Sequence, residues 1–361
     1  MPPHTNVAGA DLTPAAIASP SFESRRRTAN RVFRGALLFN TGLTLLWLLA
    51  IVTGYTTRFF QSYRPDRDAL VKIVVGVLFF YVLWGFIWYA LKTVLLRRVA
   101  GFTKEECRQA FSSRMHEPFD VAGFVSRHSE RRIRIIDMIA RRGRFITLAA
   151  AGFYYLYLRV SVEHSPAFAT LFLEDNLFDA VVTSWIFLAF YYSDNFLAAA
   201  FYGPQSRVMD GVLARANCLL ITTLWTAFKF VMVPLGTKLA AVFPPGEFAV
   251  VFALIWGSYI ACDALSEVGG ALYGKQKIRV RGLGDVNRKS IGGTVAGFVG
   301  SLALCVGVVL SHHLAPSWFV LAIIISLSNT LLELFSPRGT DDFVMATTNA
   351  VICLVFGLVM Y

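Results

Sequence analysis

Charged residues are scarce in this sequence, and its five cysteines stand singly along the chain. Only 16% of the 361 residues are Asp, Glu, Lys or Arg, whereas 56% are hydrophobic. No soluble fold requires so much apolar sequence. The five cysteines form no Cys-x-x-Cys pair, which argues against a disulfide framework and against a zinc site. No module combines basic with aromatic residues, so we expect no nucleic-acid partner.

The sequence instead contains long apolar runs. Several reach the ~20 residues that a helix needs to cross a bilayer, and they are continuous, unlike the alternating strands of a β-barrel. The sequence therefore predicts an all-α, polytopic helical membrane protein with about nine transmembrane helices. The predicted spans cover about residues 36–55, 69–95, 145–162, 176–202, 212–235, 248–268, 291–312, 316–335 and 343–360.

The polar segments divide the chain into three predicted regions. Residues 1–34 are expected to form a disordered tail, 35–210 an N-terminal membrane region, and 211–361 a C-terminal membrane region. Residues 97–145 form the longest polar segment and hold twelve Lys and Arg residues. This segment is expected either to lie on the membrane surface as a helix or to form a solvated loop.

Basic residues outnumber acidic ones by 34 to 23, and their distribution predicts a topology. Positively charged loops stay on the cytoplasmic side of a membrane, so the N-terminus is expected to be cytoplasmic. The acidic loop 163–175 is expected on the opposite side. The host membrane is expected to be a bacterial inner membrane or the endoplasmic reticulum. The predicted cytoplasmic segments are 1–34, 97–145, 203–213, 274–290 and 336–342.

A few polar side chains fall within or near the apolar runs themselves. Asp179, Asp194 and Asn195 lie at the fourth span, where acidic residues are candidates for a functional site. They are also explained by a position at a membrane interface. Lys229 in the fifth span is expected to extend its ammonium group outward to that interface.

The densest group of chemically active residues lies between the sixth and seventh spans. Asp263 is followed by small residues, two glycines and a basic stretch that ends where the next apolar run begins. A carboxylate can bind a divalent metal, and a glycine-rich turn into a helix offers backbone N–H groups to phosphate. An ordinary positive loop would share this composition. The family resemblance described below implies phosphate binding by Gly270, Gly274, Lys275, Asn287, Arg288, Lys289 and Ser290.

Further carboxylates lie nearby and downstream. Glu267 follows Asp263 by one helical turn, and Glu333 lies inside the apolar eighth span. Asp341 and Asp342 precede the ninth span, where they could simply stabilise the start of a helix. All of these carboxylates could instead bind Mg²⁺.

Residues 250–361 resemble the polyprenol kinase family, which includes dolichol, phytol and CTP-dependent diacylglycerol kinases. The similarity rests on Asp263 with Gly270 and Gly274, on Asn287-Arg288-Lys289-Ser290, and on Glu333 followed by Asp341-Asp342. Cys262, Ala271, Gly292 and Phe343 depart from the family pattern. The resemblance implies Mg²⁺ as cofactor and CTP as phosphoryl donor. It also implies catalytic roles for Asp263, Lys289 and Asp342, and metal ligands at Asp263, Glu333, Asp341 and Asp342.

The expected function is transfer of the γ-phosphoryl group of CTP, or of another nucleoside triphosphate, to a lipid alcohol at the cytoplasmic face of the membrane. The acceptor would be an isoprenoid alcohol such as dolichol, phytol or a farnesol-type polyprenol, or diacylglycerol. A CDP-lipid synthase is the nearest alternative, although the sequence around Asp341 lacks the Lys-Arg pair usual in that class. A transporter that performs no chemistry is the other alternative.

Overall fold

The computed structural model of the chain describes residues 22–52, 83–107, 126–143, 180–281, 286–337 and 339–361. The predicted third span at 145–162, the acidic loop 163–175 and Asp179 lie outside these residues. Residues 1–21 of the predicted tail and 69–82 of the predicted second span also lie outside them. Within the described ranges the chain is mostly helical, with one β-hairpin.

The described elements are numbered here in chain order. Shorter helical segments occupy 104–107 and 126–128, and a 3₁₀ turn occupies Val208–Asp210. The main elements are α1 (Phe22–Val52), α2 (Trp84–Arg98), α3 (130–143), α4 (Ala180–Ala189), α5 (Phe196–Tyr202), α6 (Leu213–Val242), α7 (Pro245–Tyr273), β1 (Lys277–Arg281), β2 (Val286–Ser290), α8 (Ile291–Ser311), α9 (Ser317–Phe335) and α10 (Asp341–Met360).

Four of the described helices are long and apolar enough to cross a membrane, namely α7, α8, α9 and α10. A fifth candidate is α6, which bends at Pro234, where the proline ring removes a backbone hydrogen bond. These helices support a helical membrane protein, as the sequence predicts. The described residues therefore provide four or five such helices, and the prediction of nine is not supported by them.

The four spanning helices pack as a bundle, and α7 contacts each of α8, α9 and α10. Small residues allow α7 and α8 to approach closely. A Cβ atom on Gly297 would lie 2.1 Å from Ser266 Oγ, and one on Gly293 would lie 2.6 Å from Ser266 O. Stripes of small residues are a common means of packing helices in membranes, where apolar side chains gain little by leaving lipid.

Buried amide groups link the helices inside the bundle. Asn329 on α9 donates hydrogen bonds to Ser258 Oγ on α7 (3.0 Å) and to Ser301 Oγ on α8 (3.3 Å). Asn349 on α10 donates to the same Ser258 Oγ at 3.1 Å. These contacts fix how the four helices are aligned along their lengths. Since Glu333 follows Asn329 by one helical turn, these hydrogen bonds also set the position of Glu333 along the bundle axis.

Two predictions for the N-terminal half are wrong within the described residues. Residues 22–34 of the predicted tail belong to α1. The predicted fourth span is interrupted between α4 and α5. There, the buried Arg215 donates to the carbonyl oxygens of Tyr191 (2.6 Å) and Ser193 (2.8 Å) and pairs with Asp194 at 3.1 Å. Because an arginine satisfies these carbonyl groups, the helix can end inside the protein.

Two other polar residues that the sequence analysis named have structural roles. Asn195 accepts a hydrogen bond from the backbone N–H of Ala198 and so caps α5. Lys229 does not extend to the interface, because only 5% of it is exposed. Its ammonium group lies 4.4 Å from the centre of the Trp256 ring and 5.0 Å from that of Trp225, which compensates in part for the loss of water.

Candidate metal and phosphate site

The predicted site residues lie near the connections between consecutive helices, towards one end of the bundle. The last turns of α7 and α9 and the first turns of α8 and α10 lie at this end, because consecutive helices run in opposite directions. The hairpin β1–β2 connects α7 to α8 here. Asp263 lies eighteen residues into α7, or about 27 Å along its axis. This distance approaches the ~30 Å thickness of a bilayer core.

Three carboxylates from three different helices meet at this end. Asp263, Glu333 and Asp341 each offer one oxygen atom, and these atoms all lie within 4.8 Å of one another. Only 9% of Glu333 is exposed, and its Oε2 atom has no hydrogen-bond partner among the described residues. Lys289 balances part of the charge, since its Nζ lies 3.0 Å from Glu333 Oε1 and 3.8 Å from Asp341 Oδ2.

This arrangement fits a divalent cation. Mg²⁺ binds oxygen ligands at about 2.1 Å, so opposite ligands lie about 4.2 Å apart. The three carboxylate oxygens are nearly that close already. The unpartnered oxygen of the buried Glu333 would coordinate the metal, and Lys289 alone cannot neutralise both Glu333 and Asp341. Lys289 would then be free to turn to another anion.

The hairpin and the start of α8 form the second part of the site. Lys289 pairs with Ile278 across the antiparallel hairpin, which delivers its side chain to the acidic cluster. Ser290 caps α8, because its Oγ accepts a hydrogen bond from the N–H of Gly293 at 3.1 Å. A Cβ on Gly274 would lie 2.7 Å from Ser290 Oγ, and one on Gly270 would lie 3.1 Å from it. Both glycines therefore leave room for this cap.

Not every predicted site residue is brought together. Lys275 is exposed, and it does not line the cavity described below. Asn287 and Arg288 lie in β2, but their side chains lie outside the described part of the structure. Asp342 begins α10 beside Asp341, and its buried Oδ1 has no hydrogen-bond partner among the described residues. Asp342 is not among the residues that line the cavity.

Three arginines that were not predicted as site residues pair with the carboxylates of α7. Arg142, at the end of α3, donates through both terminal nitrogens to the two oxygens of Asp263, with Nη2 2.9 Å from Oδ1. Its Nε also donates to Glu267. Arg141 donates to Glu267 Oε1 at 2.7 Å, and Arg207 lies 3.2 Å from the same oxygen. Glu267 is therefore held by arginines instead of joining the acidic cluster.

These arginines retain their charge in spite of burial. Burial alone would lower the pKa of Arg142, but the facing carboxylates of Asp263 and Glu267 raise it above its ordinary value. Burial likewise acts to lower the pKa of Arg207, and Glu267 and Asp210 raise it overall. Burial and the neighbouring Arg207 lower the pKa of Arg141, although Glu267 opposes them.

A cavity of about 190 Å³ is lined by members of both groups of charges. Its basic lining residues are Arg134, Arg207, Lys277 and Lys289, and Lys289 lies among the carboxylates of the cluster. Its acidic lining residues are Asp263, Glu333 and Asp341 of the cluster, together with Asp137, Asp210 and Glu267. Such a cavity can accept a ligand that combines a cation with anionic groups.

Comparison with protein-family models, with curated proteins and with solved structures gives no match to this chain. The resemblance to polyprenol kinases therefore stays a prediction from the sequence. One feature of the sequence could have indicated that the arginines of α3 pack against the protein. Ile133 and Ile136 alternate with these arginines, and both isoleucines are buried. A helix with an apolar face and arginines beside it can pack on the protein as well as on a membrane.

Proposed function

We propose that this protein is a metal-dependent lipid-alcohol kinase. It would transfer the γ-phosphoryl group of CTP, or of another nucleoside triphosphate, to the hydroxyl group of an isoprenoid alcohol or diacylglycerol. The observation that carries the proposal is the meeting of Asp263, Glu333 and Asp341 beside Lys289. The acids lie 70 and 8 residues apart in the sequence, and they belong to the two stretches that resemble the kinase signature.

Phosphoryl transfer makes few covalent demands on a protein, because positioning and charge neutralisation supply most of the catalysis. Asp263, Glu333 and Asp341 would hold Mg²⁺, which neutralises charge on the phosphate chain when bound. Lys289 would exchange its contacts with Glu333 and Asp341 for a phosphate oxygen. Ser290, Gly293 and Thr294 at the start of α8 also line this cavity, and the N-terminal end of a helix favours an anion.

The position of the site suits a lipid acceptor. The acidic cluster lies towards the ends of apolar helices, and Tyr273 and Phe335, the last residues of α7 and α9, are 74% and 71% exposed. Aromatic side chains of this kind are typical of the boundary between lipid and water. A long-chain alcohol could keep its tail in the bilayer and present its hydroxyl group at the cavity. By the positive-inside rule, this face would be cytoplasmic. The whole chain would form a bundle of up to nine helices.

A transfer assay with two labels tests this function. The purified full-length protein is incubated with Mg²⁺ and CTP labelled at either the γ or the α phosphate, together with polyprenols, phytol, diacylglycerol or phosphatidate. A lipid-alcohol kinase places the γ label in the lipid and never the α label. Incorporation of the α label would identify a CDP-lipid synthase instead. Incorporation of neither label would contradict both the kinase and the synthase activity.

A further inference from the structure

Residues that precede the region of sequence resemblance also line the cavity, although that resemblance begins only at residue 250. Arg134 on α3 and Arg207 before the 3₁₀ turn line it together with the acidic cluster. Their side chains are 36% and 30% exposed, so both groups are partly desolvated. Arg134 and Arg207 belong to segments outside the helix bundle that carries the carboxylates.

Both arginines retain an unused hydrogen-bond donor. The Nε atoms of Arg134 and Arg207 are buried, and neither has an acceptor among the described residues. Their terminal nitrogens are engaged with Glu130 and Glu267 respectively. A buried donor without an acceptor costs free energy, so these positions favour a ligand that brings acceptor oxygens.

Buried polar contacts join the segments that carry these arginines. Lys92 on α2 is fully buried, and its Nζ lies 3.0 Å from Asp137 Oδ1 on α3. The other oxygen of Asp137 accepts a hydrogen bond from the N–H of Val208 at 2.8 Å. Asp137 thereby connects α3, which carries Arg134, to the segment that carries Arg207.

We propose that Arg134 and Arg207 form a phosphate-binding wall that receives the terminal phosphates of the nucleotide. This inference rests on the proposed function and adds the residues that orient the donor. The metal side of a nucleotide complex would face Asp263, Glu333 and Asp341, and its phosphate oxygens would face the arginines. Guanidinium groups bind phosphate through parallel N–H donors, which gives direction as well as affinity. The donor would then bind in one orientation only.

Binding of inorganic tripolyphosphate to the purified full-length protein tests the wall without requiring turnover. Calorimetric titrations compare the wild type with Arg207→Gln and Arg134→Gln, both with Mg²⁺ and with EDTA. Each substitution removes a charge-assisted hydrogen bond, so the Kd should rise roughly tenfold or more in both conditions. The matched control is Arg132→Gln on the exposed face of α3, which should bind as the wild type does.

The acidic side provides the contrasting variant. Asp341→Asn should weaken tripolyphosphate binding in Mg²⁺ but not in EDTA, because it acts through the metal. Wild-type affinity in both arginine variants would overturn the phosphate wall while leaving the kinase proposal intact. Failure of the wild type to bind tripolyphosphate or CTP under either condition would overturn both. Arg134→Gln keeps the test decisive if Arg207→Gln does not fold, because Arg134 does not pair with the α7 carboxylates.

Discussion

Single side chains at the site show how far charge can be predicted from sequence alone. The sequence predicts Asp263, Glu333 and Asp341 as metal ligands because carboxylates can bind a divalent cation, and it predicts Lys289 from the basic stretch before the seventh span. The structure brings these four together. The partners of Asp263 could not be predicted, since Arg142 lies 121 residues away and is one of many basic residues in its segment.

Replacing Arg142 by Met should destabilise the protein by roughly 3 kcal/mol, because two largely buried carboxylates would lose a charged partner. Unfolding by denaturant in detergent measures the change. The double variant Arg142→Met with Asp263→Asn should recover a substantial part of the lost stability, since the uncompensated charge of Asp263 is then removed. An effect of Arg142→Met below about 1 kcal/mol would mean that the pair contributes little to the fold.

At the scale of helices, the C-terminal spans are predicted well. The predicted boundaries of the seventh and eighth spans agree with α8 and α9 to within a residue at each end. Ser290 and the turn at Pro337 give clear start and stop signals there. The fourth span was predicted wrongly because hydropathy cannot register a buried arginine that satisfies the carbonyl groups of a helix end.

The contact between α7 and α8 depends on glycines, which gives a prediction with a control on the same helix. Gly297→Ala would put a methyl group 2.1 Å from Ser266 Oγ and 2.9 Å from the carbonyl oxygen of Cys262. We expect a loss of stability of about 1–3 kcal/mol, measured by thermal unfolding. Gly307→Ala meets nothing within 4 Å and should be neutral or slightly stabilising. Equal effects of the two substitutions would refute close packing at Gly297.

For the whole molecule, composition predicts the class and loop charge predicts the orientation. An apolar content of 56%, gathered in long continuous runs, favours a helical membrane protein, and the four long apolar helices support it. The number of spans is harder to predict, because an apolar run can be a span, a buried helix or two short helices joined by a turn. The cavity could not be predicted from the sequence, because its lining residues come from segments that lie far apart along the chain.

The orientation can be measured with introduced cysteines. All five native cysteines are buried, so they should add little background labelling. Suitable substitutions are Gln276→Cys and His312→Cys. Both positions are exposed, and they lie on opposite sides of α8 in the sequence. A membrane-impermeant maleimide should label position 276 only from the cytoplasmic side and position 312 only from the other side. Labelling of both from one side would contradict the spanning orientation of α8.

Metal binding by the three-carboxylate cluster is the central claim, and Mn²⁺ binding followed by electron paramagnetic resonance tests it most directly. The wild type should bind Mn²⁺ at a saturable site, and Mg²⁺ should compete. Loss of an outer partner of a metal ligand already weakens affinity about 10–100-fold, so Asp341→Asn and Glu333→Gln should cost at least about tenfold. Glu247→Gln, at the far end of α7, is the control and should change nothing. Unchanged Mn²⁺ affinity in both cluster variants would contradict the account.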